Sequence, residues 1–361
     1  MIREAIVKLV KGESLEQDEA ALAMDEIMTG EATQAQVGAF LTALRIKGET
    51  VQEIAGLAQV MRDKATRVMW PEDLGVDAPV VDTCGTGGDG SNTFNISTTA
   101  AFVVAGAGAI VAKHGNRAAS SRCGSADVLE SLGVKIDLKP EGVTNCLREA
   151  HIGFMFAPSF HPSMKYAGPV RREIGIRTVF NILGPLTNPA RAQRQVVGVP
   201  DAALAPKIAA ALKLLGSTHA LVVHSQDGLD EISISAPTII YEVKSEVSTQ
   251  QMREHPAAFY KRDEVEIVKR LVGPEDVGLT RAPYAAMAGG SVEENKAITL
   301  KVLEGTSGPQ RDVVLLNSAA ALVAAGIAFD LRQGIEQAAR SIDSGEAMRR
   351  LKALVAVSNQ Q

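Results

Sequence analysis

Aromatic side chains are scarce in this chain, at 4% of its residues. That scarcity argues against a surface of stacked bases, the usual means of holding single-stranded nucleic acid. Cysteine is scarcer still. Cys84, Cys123 and Cys146 form an odd set with no C-x-x-C spacing. Neither a disulfide framework nor a cysteine zinc site fits them, although Cys84 and Cys123 fall in polar loops where a reactive thiol is conceivable. No uninterrupted apolar run reaches membrane-spanning length, and the first residues lack the apolar core of a secretory signal. A cytoplasmic protein without membrane contact is expected. Excess positive charge is missing too, since the formal net charge is −5. Nothing general therefore draws the chain to nucleic acid. An anionic ligand needs a local basic cluster.

What is present is an ordinary globular composition, 46% hydrophobic and 22% charged over 361 residues. That is enough for one large domain or two. Residues 1–65 read as helices only. Ile2, Ile6, Leu9 and Val10 share one face at helical spacing. Ser14 to Gln17, Thr33 to Gln36 and Thr50 to Glu53 fit capping boxes, and Gly30 and Gly48 sit at helix ends. The spacing predicts helices near 2–11, 15–29, 34–47 and 51–65. Four short helices bury little alone, so they must pack on the rest of the chain or on a second copy.

Residues 66–79, with Trp70, Pro71, Gly75 and Pro79, have no clear period and mark a boundary. Strand–helix alternation follows. Strands are predicted near 109–112, 153–156, 192–199, 219–224 and 239–243. Helices are predicted near 97–107, 126–132, 140–150 and 202–215, and the segments 313–326 and 331–344 close the chain. Pro140 suits a first helical position, and Asn95 or Ser97 suits a cap. Residues 157–194 interrupt the pattern with five prolines and the bases Arg171, Arg172 and Arg177. They read as a return to the helical part and a hinge. The charged stretch 244–270 reads as a surface insertion. Alternation implies an α/β fold, with a mainly parallel sheet covered on both faces.

The chemistry concentrates between Val80 and Ser125. A short apolar run ends at Asp82, and Gly85, Gly87, Gly88 and Gly90 follow. Glycines after a strand let backbone N–H groups approach a phosphate, and the next helix start adds its positive dipole end. Alone, G-x-G-G reads equally as a tight turn. It matches neither the P-loop nor the dinucleotide spacing. Asn95, Ser97 and Thr98 supply more polar groups than one cap needs. A second apolar run ends in Lys113-His114-Gly115-Asn116-Arg117, ahead of Ser120, Ser121, Arg122 and Ser125. Such a cluster fits a polyanion, whereas a lone base is merely solvated. Asp230-Glu231 is either an exposed acidic turn or a metal site. Adjacent side chains on an extended segment point to opposite sides, so the two suit two ions, or one ion and its water. Arg171 can hold a carboxylate through two parallel hydrogen bonds, or it can form a structural ion pair.

The runs GTGGD, NISTTAA, KHGNRAASSRCGSADVLESLG, PVRREIGIRTVFNILGPLTNPA and GLDEIS together resemble the anthranilate phosphoribosyltransferase family. The resemblance spans essentially the whole chain. Pyrimidine nucleoside phosphorylases share the KHG loop, but usually carry glycine at the position of Asn116 and lack FNILGPLTNP. They and a non-catalytic nucleic-acid-binding relative are the alternatives. The resemblance implies a small all-helical domain, residues 1–70 with a return segment about 163–190, that forms a homodimer contact. A large α/β domain would comprise 76–160 and 192–361. It implies transfer of the phosphoribosyl group of phosphoribosyl pyrophosphate to anthranilate, the second step of tryptophan biosynthesis from chorismate. By motif position, Gly85, Gly88, Asp89, Thr93, Asn95, Ile96, Ser97, Thr98, Lys113, His114, Gly115, Asn116, Arg117, Ala118, Ala119, Ser120, Ser121 and Ser125 would bind the ribosyl donor. Gly85, Asn116 and Arg171 would contact anthranilate. Ser97 would help hold one magnesium ion and Asp230 with Glu231 another, a pair per subunit. No protein nucleophile is implied, and His114 is the candidate for proton transfer. The stretch 244–270 departs from the compact family form.

Overall fold

The computed structural model describes residues 1–71, 78–118, 122–245 and 265–361. Four helices open the chain: α1 (Ile2–Val10), α2 (Gln17–Thr29), α3 (Gln34–Lys47) and α4 (Val51–Lys64). Thr33 and Thr50 cap α3 and α4 through the backbone N–H groups of Gln36 and Glu53, as their boxes predict. The Ser14 box does not form. Helix α2 begins later, and Glu19 accepts the N–H of Glu16 at 3.0 Å instead. Glu53 is fully buried but well satisfied. It accepts the Leu15 N–H at 2.9 Å and pairs with Lys47 at 2.9 Å, tying the α1–α2 connection to α4.

The sheet begins with β1 (Val80–Gly85), followed by α5 (Ile96–Gly106), β2 (Ile110–Gly115), α6 (Ser125–Ser131), α7 (Pro140–Ala150) and β3 (Ile152–Phe156). Three short helices then cross over: α8 (Ala157–Phe160), α9 (Met164–Ile174) and α10 (Phe180–Leu183). Next come β4 (Arg194–Gly198), α11 (Ala205–Leu214), β5 (His219–Ser225), β6 (Thr238–Ser245) and β7 (Val265–Val272). Strand β7 corrects the reading of 244–270 as an unpatterned insertion, because Val265–Val272 pairs antiparallel with β6. The rest of that stretch, 246–264, lies outside the described residues. Four helices end the chain: α12 (Val292–Leu303), α13 (Pro309–Ala325), α14 (Leu331–Asp343) and α15 (Glu346–Ser358). The first and last of these were not anticipated from the sequence.

The seven strands lie in the order β3-β2-β1-β4-β5-β6-β7. The first five are parallel, and β6 and β7 add an antiparallel edge. From β1 the chain steps outward to β2 and β3, then returns to place β4 on the other side of β1. The strand order reverses between β1 and β4, so a crevice opens beyond their carboxyl ends. Gly85 and Gly198 are register partners at that point.

The apolar core has two parts. One joins α5, β1–β3 and the C-terminal helices. The other joins α1–α4 to Ala167 and Val170 of α9, to α10, to α11 and to the adjoining sheet face. The opening helices therefore bury their apolar faces on the rest of the chain. The connecting segments run side by side. Thr66 donates to Phe160 O at 2.8 Å, Val68 to Pro189 O at 3.2 Å, and the Trp70 indole to Ala190 O.

Candidate active site

The loop after β5 is laid across the loop after β1. Asp227 accepts from Ser233 Oγ at 2.6 Å and from Leu229 N at 3.3 Å, closing a tight turn. Beyond it, Asn317 on α13 brackets Ile232 with a bond to its N–H and a bond from its own amide to the Ile232 carbonyl, each 2.9 Å. Between these anchors Asp230 and Glu231 lie in a bend, and their side chains reach two different loops. Asp230 Oδ2 accepts the Gly87 N–H at 3.0 Å. Glu231 Oε1 accepts the Ser97 N–H at 3.1 Å, at the first turn of α5. A Cβ on Gly85 would stand 2.5 Å from Asp230 Oδ2, so the close approach requires glycine there.

Both carboxylates resist ionisation. Burial, with Asp89 and Glu231 nearby, raises Asp230 well above its ordinary value. Burial also raises Glu231 to about 7, against the pull of Lys113 and of its Ser97 bonds. Lys113 is 2% exposed, and its ammonium donates to Thr83 O rather than extending into the open crevice. Burial lowers its pKa, while Asp82, Cys84 and Glu231 oppose that shift. A cation bound here would draw both carboxyl groups back towards their ionised form.

His114, next to Lys113, faces the other side of the sheet. Its Nδ1 lies 3.2 Å from Gly184 O, a pure acceptor, so Nδ1 carries the proton and Nε2 the lone pair. That Nε2 is buried and, among the described residues, has no hydrogen-bond partner. The His161 ring stands 5.1 Å away, centroid to centroid, and its Nε2 likewise has no hydrogen-bond partner among the described residues. Burial pushes His114 down to about 3 and His161 to about 4, so both are neutral near pH 7. Arg171 on α9 stacks over the Phe180 ring at 5.2 Å. Its guanidinium is partly buried, burial alone lowers its pKa, and among the described residues no carboxylate pairs with it.

Several residues named from the sequence sit differently from their expected roles. Asn95 stands at the N-cap of α5, yet its side chain makes no cap bond and donates to Cys123 O at 3.1 Å. Glu231 satisfies the helix start instead. Ile96 is buried in the main core, so only its backbone is left to meet a ligand. Thr98 is buried as well. Arg117 is paired with Asp127 at 2.9 Å and Glu130 at 2.8 Å, and it lies over the Phe156 ring at 5.7 Å. Asp127 also accepts the N–H of Ala118 at 3.1 Å and of Gly124 at 2.8 Å, which braces the second loop. Asn116 Oδ1 accepts the Arg117 N–H at 2.8 Å, and Ser125 Oγ donates to Asn116 O at 3.2 Å. Gly115 ends β2, Asp89 accepts the Ser91 N–H at 3.1 Å, and Thr93 bridges to Ala288. Gly88 lies under Arg177, whose Nη1 would stand 1.3 Å from an added Cβ. Ala119, Ser120 and Ser121 lie outside the described residues. All three cysteines are free thiols. Burial raises Cys84 well above its ordinary value, so a reactive thiolate there is disfavoured.

Residues 77–348 match the family described as the glycosyl transferase family a/b domain, and residues 3–65 match its helical bundle domain. An anthranilate phosphoribosyltransferase of Chloroflexus aurantiacus is 60% identical over 358 residues, covering 99% of this chain and 98% of that protein. The chain belongs to the anthranilate phosphoribosyltransferase family. A solved family member from Thermus thermophilus superposes with a TM-score of 0.86 at 41% identity, covering 98% of this chain and 99% of the other. Another, from Saccharomyces cerevisiae, was solved in complex with PRPP and Mg. It gives a TM-score of 0.85 at 27% identity, covering 100% of this chain and 98% of the other.

Within this phosphoribosyltransferase fold, three residues escaped the sequence reading. Arg177 donates to Gly87 O at 2.9 Å, so the crossing segment reaches the glycine-rich loop directly. Its place in the basic run after Arg171 was the available signal. His161 and Asn317 gave none. A single His in a proline-rich segment and an Asn inside an apolar helix carry no pattern of their own.

Proposed function

We propose that this chain transfers the phosphoribosyl group of phosphoribosyl pyrophosphate to the amine of anthranilate, releasing pyrophosphate. One observation carries the reading. Asp230 and Glu231 hold the Gly87 and Ser97 amides, which could otherwise take phosphate directly. A pyrophosphate therefore binds here through divalent cations. The donors fit magnesium because they are carboxylate oxygens, and a bound cation would offset the burial and neighbouring carboxylates that resist their ionisation. Among the described residues no three side chains form a closed metal cage, which suits an ion that keeps water and phosphate ligands. We place one ion at Ser97 and another at Asp230 and Glu231. When bound, they neutralise charge on the departing pyrophosphate.

The residues of the chain do the rest. Gly85, Gly88, Asp89, Thr93, Asn95, Thr98 and the loop after β2 hold the donor. Arg171 takes the anthranilate carboxylate in a two-pronged contact, and Asn116 and Gly85 border the acceptor. The amine attacks the anomeric carbon, and the bond to the pyrophosphate oxygen breaks with its electron pair leaving on that oxygen. The configuration inverts. The amine then sheds a proton, and the His114 Nε2 lone pair orders it by accepting a hydrogen bond. Closure about the paired connectors, with the helical domain at 1–70 and 163–190 moving against the remainder, excludes competing water.

The helical part exposes Val7, Val10, Leu22, Ile46, Tyr166 and Ile176, and we assign a homodimer contact there. The free thiols suit a reducing compartment, and we place the reaction in the cytoplasm. The test is loss of anthranilate fluorescence, expected only with both the ribosyl donor and magnesium. Turnover of thymidine with phosphate instead, or DNA binding without catalysis, would overturn the reading.

A further inference from the structure

A chain of hydrogen-bonded amides runs from the strap before α12 to the basic loop. Gly290 N–H donates to Asn295 Oδ1 at 2.9 Å. Asn295 Nδ2 donates to Asn95 Oδ1 at 3.2 Å. Asn95 Nδ2 donates to Cys123 O at 3.1 Å. One end is a backbone N–H and the other a backbone carbonyl, so donors and acceptors alternate in only one sense. That fixes the flip of both amides. Asn295 is 2% exposed, and the whole series crosses from α12, through the start of α5, to the turn before α6.

The strap itself is tied to the glycine-rich loop. Phe94 N donates to Met287 O at 3.2 Å, and Gly289 N to Asn92 O at 2.8 Å. One helical turn below, Thr99 and Thr299 hydroxyls meet at 2.9 Å. Thr99 Oγ1 also donates to Asn95 O at 3.0 Å, so Thr299 supplies the proton between the two hydroxyls. The helices are thus joined at two levels. The lower contact joins helix to helix. The upper one alone reaches the second loop.

We infer that Asn295 is a positioning residue: acting through Asn95, it holds the glycine-rich loop and the basic loop at the spacing that one ribosyl donor needs. Its side-chain hydrogen bonds go to Gly290 and Asn95. The inference rests on the proposed transferase reading, but its structural half can be measured without catalysis.

The substitution Asn295→Asp keeps the acceptor for Gly290 and removes the donor for Asn95. If Asn95 flips to donate, its oxygen meets the Cys123 carbonyl, so the mismatch moves along the chain without being cured. The KM for phosphoribosyl pyrophosphate is expected to rise about tenfold, with the anthranilate KM within about twofold of wild type. Hydrogen exchange of peptides covering residues 92–97 and 122–126 should accelerate. Thr299→Val is the control for simple helix docking, and should lower Tm without either effect. An unchanged donor KM and exchange in Asn295→Asp would overturn the inference, as would equal effects in Thr299→Val. Wild-type protein inactive on these substrates would instead overturn the transferase reading, leaving the exchange data to decide the role of Asn295.

Discussion

The Asp230 carbonyl oxygen lies 1.6 Å from where a Cβ on Gly198 would be. The last residue of β4 is therefore a seat for the β5 loop, and the loop's height above the sheet depends on it. Gly198→Ala should lift Asp230 and Glu231 from the Gly87 and Ser97 amides. The strand itself tolerates a Cβ, so the fold should persist. Turnover is expected to fall by about 100-fold, with a higher magnesium requirement in steady-state titrations. Wild-type magnesium dependence would show that the loop is not seated there.

Glu231→Gln separates stability from function. Burial raises the folded pKa of Glu231 from 4.5 to about 7. The folded state then binds more protons than the unfolded state between these values, so stability falls as pH rises through the window. Removing the charge should raise Tm at pH 8 without magnesium by about 2 °C, and the gain should vanish near pH 4.5. Activity should drop in the same variant. A lower Tm at pH 8 would contradict the electrostatic account.

Arg171→Ala should raise the anthranilate KM by about 30-fold or more, since a two-pronged charged contact is worth roughly 2 kcal/mol or more. The donor KM should change little. Arg171→Lys should recover only part of the loss, because an ammonium lacks the planar fork. Equal effects on both substrates would remove Arg171 from the acceptor pocket.

His114 stays neutral through the assay range because burial holds its pKa at about 3. Plots of kcat against pH should show no limb near 6.5 that disappears in His114→Asn. Finding such a limb would establish proton transfer by a titrating imidazole. Stability has its own sign here. The unfolded His binds protons below 6.5 while the folded one does not, so burial of this ring costs stability as pH falls from 6.5 towards 3.

The sequence made the helical opening, the parallel sheet and both polar loops readable, because each rests on local signals. The Thr33 and Thr50 capping boxes and the period-2 or period-3.6 apolar spacing depend on near neighbours alone, whereas the Ser14 box gave way to Glu16 and Glu19. What escaped it depends on partners far along the chain. Glu231 caps α5 from 134 residues away, while Asn95, the obvious local cap, is committed to Cys123. Strand β7 escaped because an exposed edge strand such as VEIVKRLV carries charges that blur its alternation. Arg117 was legible as a base, but its pairing with Asp127 and Glu130 depends on how α6 returns beside the loop.

The bond from Ser97 N–H to Glu231 has a consequence for selectivity. A free helix N-terminus attracts inorganic phosphate and sulfate, which are abundant in cells. Here the protein's own carboxylate already fills that place. A simple anion would have to displace that carboxyl group, whereas a ligand bringing metal ions would give it a new partner. Inorganic phosphate and sulfate should therefore compete weakly with the substrate.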